Sequence, residues 1–405
     1  MLVFRSASSG LINMGRIFQI DLVSVSLLIL TFFLMGLIVM RQFNCDYSRS
    51  LWCVHIGLTL RLVFTFLTKN IVIFYFFFEW SLIPIFMVIV GWGYQIERLK
   101  ASIYILFYTL FASLPLLLIL IFLNKFNGTL SIMVLRLNSA TIRINWMLTL
   151  FTVFAFLVKF PMYGVHQWLP KAHVEAPVRG SIVLAGILLK LGGYGLIRLG
   201  YLFRAVNPLY MLMILSLLGG GLLAITCCGV RDLKVIIAYS SVVHMAFIIV
   251  GIMSTIMWGI LGAIIIIIAH GLCSSGIFSN ANIIYERSHS RSLILNKGIL
   301  SFYPRVSLLW FFLCMANFGG PFTFNLLAEI MLIVNLIRVD AILLVSVVLV
   351  SFFSAAYSLI LYSSTQQGSP SYFYYSCSNI VLREGSVLVF HLAPLLLIAL
   401  SSVLI

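Results

Sequence analysis

Apolar residues dominate the chain from Ile20 to Ile405, interrupted only by short polar stretches. A hydrocarbon core about 30 Å thick takes roughly 20 apolar residues per helix. On that measure the spans fall at 20–40, 51–69, 71–93, 102–123, 145–170, 181–203, 209–229, 233–253, 257–280, 303–338, 341–363 and 386–405. Two of them are too long and contain helix breakers: Pro161 with Gly164 in the fifth, and Gly319-Gly320-Pro321 in the tenth. Both read as discontinuous helices. The pattern predicts an all-α, polytopic transmembrane helix bundle, with residues 1–405 as a single membrane domain. A short N-terminal segment, 1–19, precedes a leading helix at 20–40, and a C-terminal helix closes the chain at 386–405.

Between those ends, 51–203 and 209–363 each hold five spans, and in each set the fourth is the broken one. Five is odd, so the second set enters the bilayer from the opposite face. That is the arithmetic of two inverted five-helix repeats, which transporters use to place a site near the midplane beside unwound helix. Broken backbone at that depth is tolerated only against protein or a water-filled cavity. One cavity opening to each side is implied.

Composition sharpens the picture. Of 405 residues 62% are hydrophobic and only 9% charged, with a mean hydropathy of +1.16, far from the balance of a soluble domain. The formal charge of +15 reads as a positive-inside bias rather than nucleic-acid binding. Thirteen basic loop residues lie on the side reached after the first span and eight on the other, which puts both termini outside. The seven cysteines show no metal spacing and read as small apolar fillers. No cleavable signal is evident, and there is no Gly-rich phosphate loop or haem or iron–sulfur ligand set. The expectation is that this chain binds no redox cofactor or metal itself.

Most of the ten acidic residues, Asp21 included, sit in loops or at helix ends. Glu79, between Phe76-Phe77-Phe78 and Trp80, and Glu329, in the second half of the broken tenth span, do not. Lys159 and Lys190 are placed as deeply, whereas Arg61 and Arg198 lie nearer helix ends and can snorkel. A charge at a helix centre costs about 2.5 to 3.5 kcal/mol on insertion scales, so four of them mark a site or pathway. The alternative is a structural ion pair locking helices together. Against it, Lys159 and Glu329 occupy the same fourth-helix position of the two repeats.

His244 shares a helical face with Ser240 and Ser241, and His270 with Ser274. An imidazole flanked by hydroxyls in an apolar helix can hand a proton along; either histidine alone can equally be a satisfied core residue. His166, Lys171, His173 and Glu175, between the fifth and sixth spans, are a candidate polar gate, with Lys171 and Glu175 able to pair at i,i+4. A hydrogen-bonded connection supporting broken backbone explains them as well. Glu97-Arg98 and Glu286-Arg287 read as solvated or interfacial charges.

The run Lys159-Phe-Pro-Met-Tyr-Gly-Val-His166-Gln-Trp-Leu-Pro170-Lys-Ala-His173-Val-Glu175-Ala-Pro177, followed by Leu188-Leu-Lys190-Leu-Gly-Gly-Tyr-Gly195, closely resembles the chain 4 family of mitochondrial NADH:ubiquinone oxidoreductase, respiratory complex I. Tyr239-Ser-Ser-Val-Val-His244-Met, Ala269-His270-Gly-Leu-Cys-Ser-Ser, Tyr285-Glu-Arg-Ser-His-Ser-Arg291 and Asn325-Leu-Leu-Ala-Glu329 follow in the family's order, and the likeness covers 20–405. The family is also similar to subunits of sodium/proton antiporters. The resemblance implies an antiporter-like, proton-pumping membrane subunit of the mitochondrial inner membrane. Its neighbours would be other complex I membrane subunits, including further antiporter-like chains, together with lipid and no nucleic acid. NADH, flavin, iron–sulfur clusters and ubiquinone would belong to other subunits. Carried over by position, Glu79, Lys159, Lys190, His244, His270 and Glu329 match the family's proton relay. The family usually has two more helices ahead of Ile20-Asp21, where here only nineteen residues stand, and it often has Gly where Ala328 precedes Glu329.

On this reading protons load Lys159, pass along Lys190, His244 and His270 and leave near Glu329, with the Lys159–Glu79 pair as a switch. Two other classes fit the same residues: a sodium/proton antiporter acting alone, and a scaffold whose charges only tie helices together.

Overall fold

The computed structural model describes residues 12–14, 17–41, 49–137, 146–200, 208–369 and 381–403. Of the basic, acidic and cysteine residues of the sequence, Arg5, Arg16, Arg143, Arg204, Asp46, Cys45 and Cys377 lie outside them. In chain order the elements are β1 (Ile12–Met14), β2 (Phe18–Ile20), α1 (Leu22–Met40), α2 (Arg49–Leu67), α3 (Ile71–Trp80), α4 (Leu82–Trp92), α5 (Arg98–Asn127), α6 (Ile132–Leu137), α7 (Trp146–Lys159) and α8 (Trp168–Glu175). There follow α9 (Val178–Val183), a π-helical turn (Leu184–Leu188), α10 (Leu189–Leu199), α11 (Pro208–Gly229), α12 (Leu233–Met253) and α13 (Met257–Ser288). The chain ends in α14 (Ile299–Phe302), α15 (Pro304–Asn317), α16 (Phe324–Val339), α17 (Leu343–Gln366) and α18 (Leu382–Val403). Among the described residues nine helical segments are long and apolar enough to cross a bilayer.

The predicted breaks are present. The fifth span divides into α7 and α8 around Pro161, and the tenth into α15 and α16 around Gly319-Gly320-Pro321. A third break was not predicted: the span at 71–93 turns at Ser81 between α3 and α4. Pro84 explains it, because a proline ring clashes with the carbonyl four residues back, here that of Trp80. The all-α bundle carries one small hairpin besides its helices. β1 and β2 pair antiparallel, Ile12 facing Ile20, and the Lys69 amide donates to the Ile17 carbonyl at 2.9 Å, tying this hairpin to the α2–α3 turn. Strands of three residues are too short to leave a period in the sequence.

The 32-residue α13 stands at the centre and packs against α9, α12, α15, α16 and α18. The segment Val178–Leu199 is buried on every side, whereas Leu209–Gly229 and Leu343–Gln366 present much of their surface outward. That outward surface is apolar (Met211, Leu218, Val345, Phe352), as a helix needs where its solvent is hydrocarbon. Tight approach of α10 to α7 depends on Gly195, where a Cβ would lie 2.1 Å from the Phe156 ring.

Arg198 corrects an expectation. It does not snorkel: it is buried and its guanidinium is paired with Asp21, which sits at the start of α1 as expected but is buried as well. Asp21 also caps α1, its amide donating to the Ser24 hydroxyl at 2.7 Å, and Gln19 donates to its Oδ1 at 3.0 Å. The pair pins the leading helix to the end of α10. Removing one partner would strand the other charge, which in buried pairs costs about 3 to 5 kcal/mol.

Candidate functional site

The first group forms where α7 ends. Pro161 removes an amide donor and Gly164 adopts φ +97°, so the helix stops at Lys159. The break is stapled by Trp168, whose indole N–H donates to the Val158 carbonyl at 3.0 Å. Lys159, 5% exposed, extends to α3, its Nζ 3.1 Å from Glu79 Oε1. The same ammonium donates to the Phe78 carbonyl at 2.6 Å, and that carbonyl also accepts the Ser81 hydroxyl at 2.7 Å. The ammonium lies 3.1 Å from the centre of the Phe78 ring. Its aligned hydrogen bond thus goes to the backbone, and Glu79 supplies charge from the side without an aligned bond of its own.

The second group lies at the core of the bundle. At the π-helical turn the Leu189 amide bonds back to Leu184 rather than to Ala185. The Ala185 carbonyl receives the Lys190 ammonium instead. A π-turn of this kind is a recurrent way to present a functional group inside a helix. Lys190, wholly buried, also donates to His270 Nδ1 at 2.9 Å. The His270 ring lies 5.2 Å from that of His244, centre to centre. His244 Nε2 in turn donates to Asn317 Oδ1 at 3.2 Å.

The third group is the second break. α15 ends at Asn317; Gly319 takes φ +69° and Phe322 φ +63°, and Asn325 reaches back across the gap to the Ala316 carbonyl at 2.6 Å. Glu329, half-buried, rests on the hinge: a Cβ at Gly319 would lie 2.7 Å from its Oε2. The left-handed conformation favours glycine there, and a Cβ would make the Glu329 carboxylate shift.

The structure places the six candidate relay residues in these three groups. Among the described residues no hydrogen bond or ion pair links Lys159 to Lys190, or His244 to Glu329. The serine expectation is corrected. Ser240 and Ser241 donate to carbonyls of their own helix, at 2.8 and 2.6 Å, and Ser274 to the His270 carbonyl at 2.6 Å. Asn317 is the partner His244 uses, and a lone asparagine gave no signal in the sequence.

The gate residues do not form one cluster. Lys171 faces outward over the Tyr104 ring at 3.9 Å, so the i,i+4 pair with Glu175 is not made; Glu175 is buried. Burial pushes the Glu175 carboxyl up from its ordinary range while the positive charge of Arg291 pulls it back. Both line a cavity of about 390 Å³ with Glu97, Lys100, Tyr104 and Tyr239. His166 stacks on Tyr163 at 5.6 Å and meets Tyr239 at 6.0 Å. His173 is stacked on Phe278 at 4.5 Å, and both its ring nitrogens lack a partner. Two of the basic residues counted as loop charges are buried. Lys234 is buried at the start of α12, 3.4 Å from the Val174 carbonyl and flanked by the Tyr94 and Tyr285 rings. Arg287 is buried too and pairs with Glu384 at 2.5 Å; Glu286, by contrast, is half-exposed and meets Arg41 at 3.4 Å.

No set of three or more His, Cys, Asp or Glu side chains among the described residues is placed to hold a metal.

Comparison with known proteins follows the same lines. The family described as "NADH:quinone oxidoreductase/Mrp antiporter, TM" matches residues 68–354. NADH-ubiquinone oxidoreductase chain 4 of Ceratitis capitata is 43% identical over 398 residues, covering 96% of this chain and 88% of the relative. The chain 4 of Aedes aegypti is 45% identical over 392 residues, covering 95% and 87%. Among solved structures, respiratory complex I from Thermus thermophilus with bound NADH contains a chain that superposes with a TM-score of 0.84 at 23% identity, covering 94% of this chain and 81% of that one. A chain of the Mrp complex from Dietzia sp. DQ12-45-1b superposes with a TM-score of 0.83 at 17% identity, covering 96% and 82%.

Proposed function

The chain belongs to the NADH-ubiquinone oxidoreductase chain 4 family, and from that premise we propose the route by which a proton crosses it. It is a multi-pass, proton-translocating subunit of complex I in the mitochondrial inner membrane, working among other membrane subunits of that assembly. Electron transfer from NADH through flavin and iron–sulfur clusters to ubiquinone takes place in other subunits, and this chain carries protons without a cofactor of its own.

Protons load Lys159, move through Lys190, His270 and His244, and leave by Glu329, with water spanning the gaps between the three groups. Residues 51–203 and 209–363 act as two inverted repeats, each contributing the titratable residue of its broken fourth helix. Of the gate candidates, Lys171 and Glu175 line the approach on one side, while His166 packs on Tyr163 and Tyr239 and His173 lies buried on Phe278. At 3.1 Å and an effective dielectric near 20, the Lys159–Glu79 attraction is about 5 kcal/mol. Moving one charge through 100 mV takes about 2.3 kcal/mol. Opening and closing this pair therefore exchanges enough free energy to move a proton against a substantial potential.

The observation that carries the reading is the contact line Lys190–His270–His244–Asn317 through the buried core of the bundle. Its test is the assembled complex in liposomes carrying Glu329→Gln. The amide keeps the shape at Gly319 but takes up no proton, so NADH-driven proton translocation falls about tenfold or more. Translocation at the normal proton-to-electron ratio would refute the assignment of Glu329 as the outlet.

A further inference from the structure

We propose that Asn317 is a positioning residue of the proton path: its amide oxygen fixes the tautomer of His244 and couples that imidazole to the Gly319 hinge on which Glu329 rests. The inference deepens the relay proposed above and depends on it.

The argument starts from the direction of the hydrogen bonds. Lys190 donates to His270 Nδ1, which puts the proton of a neutral His270 on Nε2, a buried atom with no other partner. An amide oxygen only accepts, so Asn317 Oδ1 takes a proton from His244 Nε2 and leaves Nδ1 as the open acceptor of that ring. With the rings 5.2 Å apart, the two hydrogen bonds shown leave a donor on His270 and an open acceptor on His244, the tautomers that allow a proton to pass from Lys190 toward Asn317. A histidine free to choose its tautomer would break that order.

Asn317 is also the last residue of α15 and is buried. Two residues on, Gly319 adopts the left-handed conformation and supports the Glu329 carboxylate. The turn between them is held from both sides: the Gly320 amide donates to Met315 at 2.8 Å, the Thr323 hydroxyl to Gly320 at 2.6 Å, and Asn325 to Ala316 at 2.6 Å. So compact a turn moves as a unit. A change of its backbone angles displaces the partner of His244 and the seat of Glu329 together, opening or closing the step between the central line and the second broken helix.

The titratable groups acting on His244 are Lys190 on α10 and His270 on α13, with His173 of α8 beyond His270 and Glu329 of α16 beyond the hinge. A carboxylate in place of the Asn317 amide keeps the side chain's size and holds a proton on His244. The test is the pH profile of NADH-driven proton translocation by assembled complex in liposomes, for Asn317→Asp, Asn317→Leu and His244→Leu. Oxidation of NADH by an artificial acceptor monitors assembly. Asn317→Asp is expected to move the profile alkaline by about 1 to 3 pH units, and Asn317→Leu to lower translocation about tenfold. Should Asn317→Leu not assemble, the near-isosteric Asn317→Asp decides alone. A profile coinciding with that of the unaltered complex, beside an inactive His244→Leu, overturns this inference and leaves the relay standing. Translocation that survives His244→Leu overturns the relay itself.

Discussion

Lys159→Arg keeps its ion pair with Glu79 and loses proton translocation by about tenfold or more. The argument turns on which property of lysine the site uses. A cation 3.1 Å from Glu79 and 5% exposed satisfies a scaffold whether it is ammonium or guanidinium. A relay also needs the cation to give up its proton, which an ammonium can do and a guanidinium, always charged in a protein, cannot. Arginine therefore separates the two roles at nearly constant charge. Lys159→Ala is the blunter comparison, because it also leaves Glu79 without its countercharge in a half-buried position. Both are read as protons taken up per NADH oxidised in liposomes. A Lys159→Arg complex that pumps at the normal ratio would show that the charge matters and its titration does not.

Lys190→Met has the second large effect, a loss of about tenfold or more in translocation, and should do little to assembly. Methionine fills most of the lysine's volume and is unbranched, so it suits the close packing against Gly271, whose Cβ would lie 3.5 Å from Lys190 Cε. What it removes is the donor to His270 Nδ1 and to the Ala185 carbonyl. The imidazole then has no fixed tautomer and the line no starting donor. Intact complex on native gels with NADH oxidation by an artificial acceptor, together with absent proton uptake, is the expected pattern. Full proton uptake would remove Lys190 from the path.

Much of this was legible in the sequence because a bilayer punishes exceptions. A lysine or carboxylate inside an apolar run needs a reason, so Glu79, Lys159, Lys190 and Glu329 stand out on chemistry alone, and Pro161 and Gly319-Gly320-Pro321 mark the broken helices. Residues whose one-dimensional context has an innocent explanation were not legible. Arg198 and Asp21 sit near helix ends, where snorkelling and solvation are the ordinary fates, and only the approach of α10 to the start of α1 makes them a buried pair. Lys234 reads as a loop charge until α12 is seen to begin inside the protein against the end of α8. Asn317 carries no charge, so its presence in a span raises no alarm, yet it supplies the acceptor for His244. The π-turn at Leu184–Leu188 has no compositional sign, and its consequence, a free Ala185 carbonyl beside Lys190, is a matter of backbone geometry. Serines at helical spacing from the histidines looked like partners because spacing fixes the shared face; it does not fix whether a hydroxyl turns to its own helix instead.

Whether these buried groups carry protons or merely hold helices together is decided most directly by replacing the first pair with apolar side chains of similar size, Glu79→Leu with Lys159→Met, and measuring proton uptake per NADH oxidised by the assembled complex in sealed liposomes. Exchanging a whole buried pair for matched apolar residues is often neutral or favourable for stability, so the double variant should assemble. A proton path through Lys159 predicts an assembled complex that no longer translocates protons through this chain; an unchanged proton-to-electron ratio would contradict it.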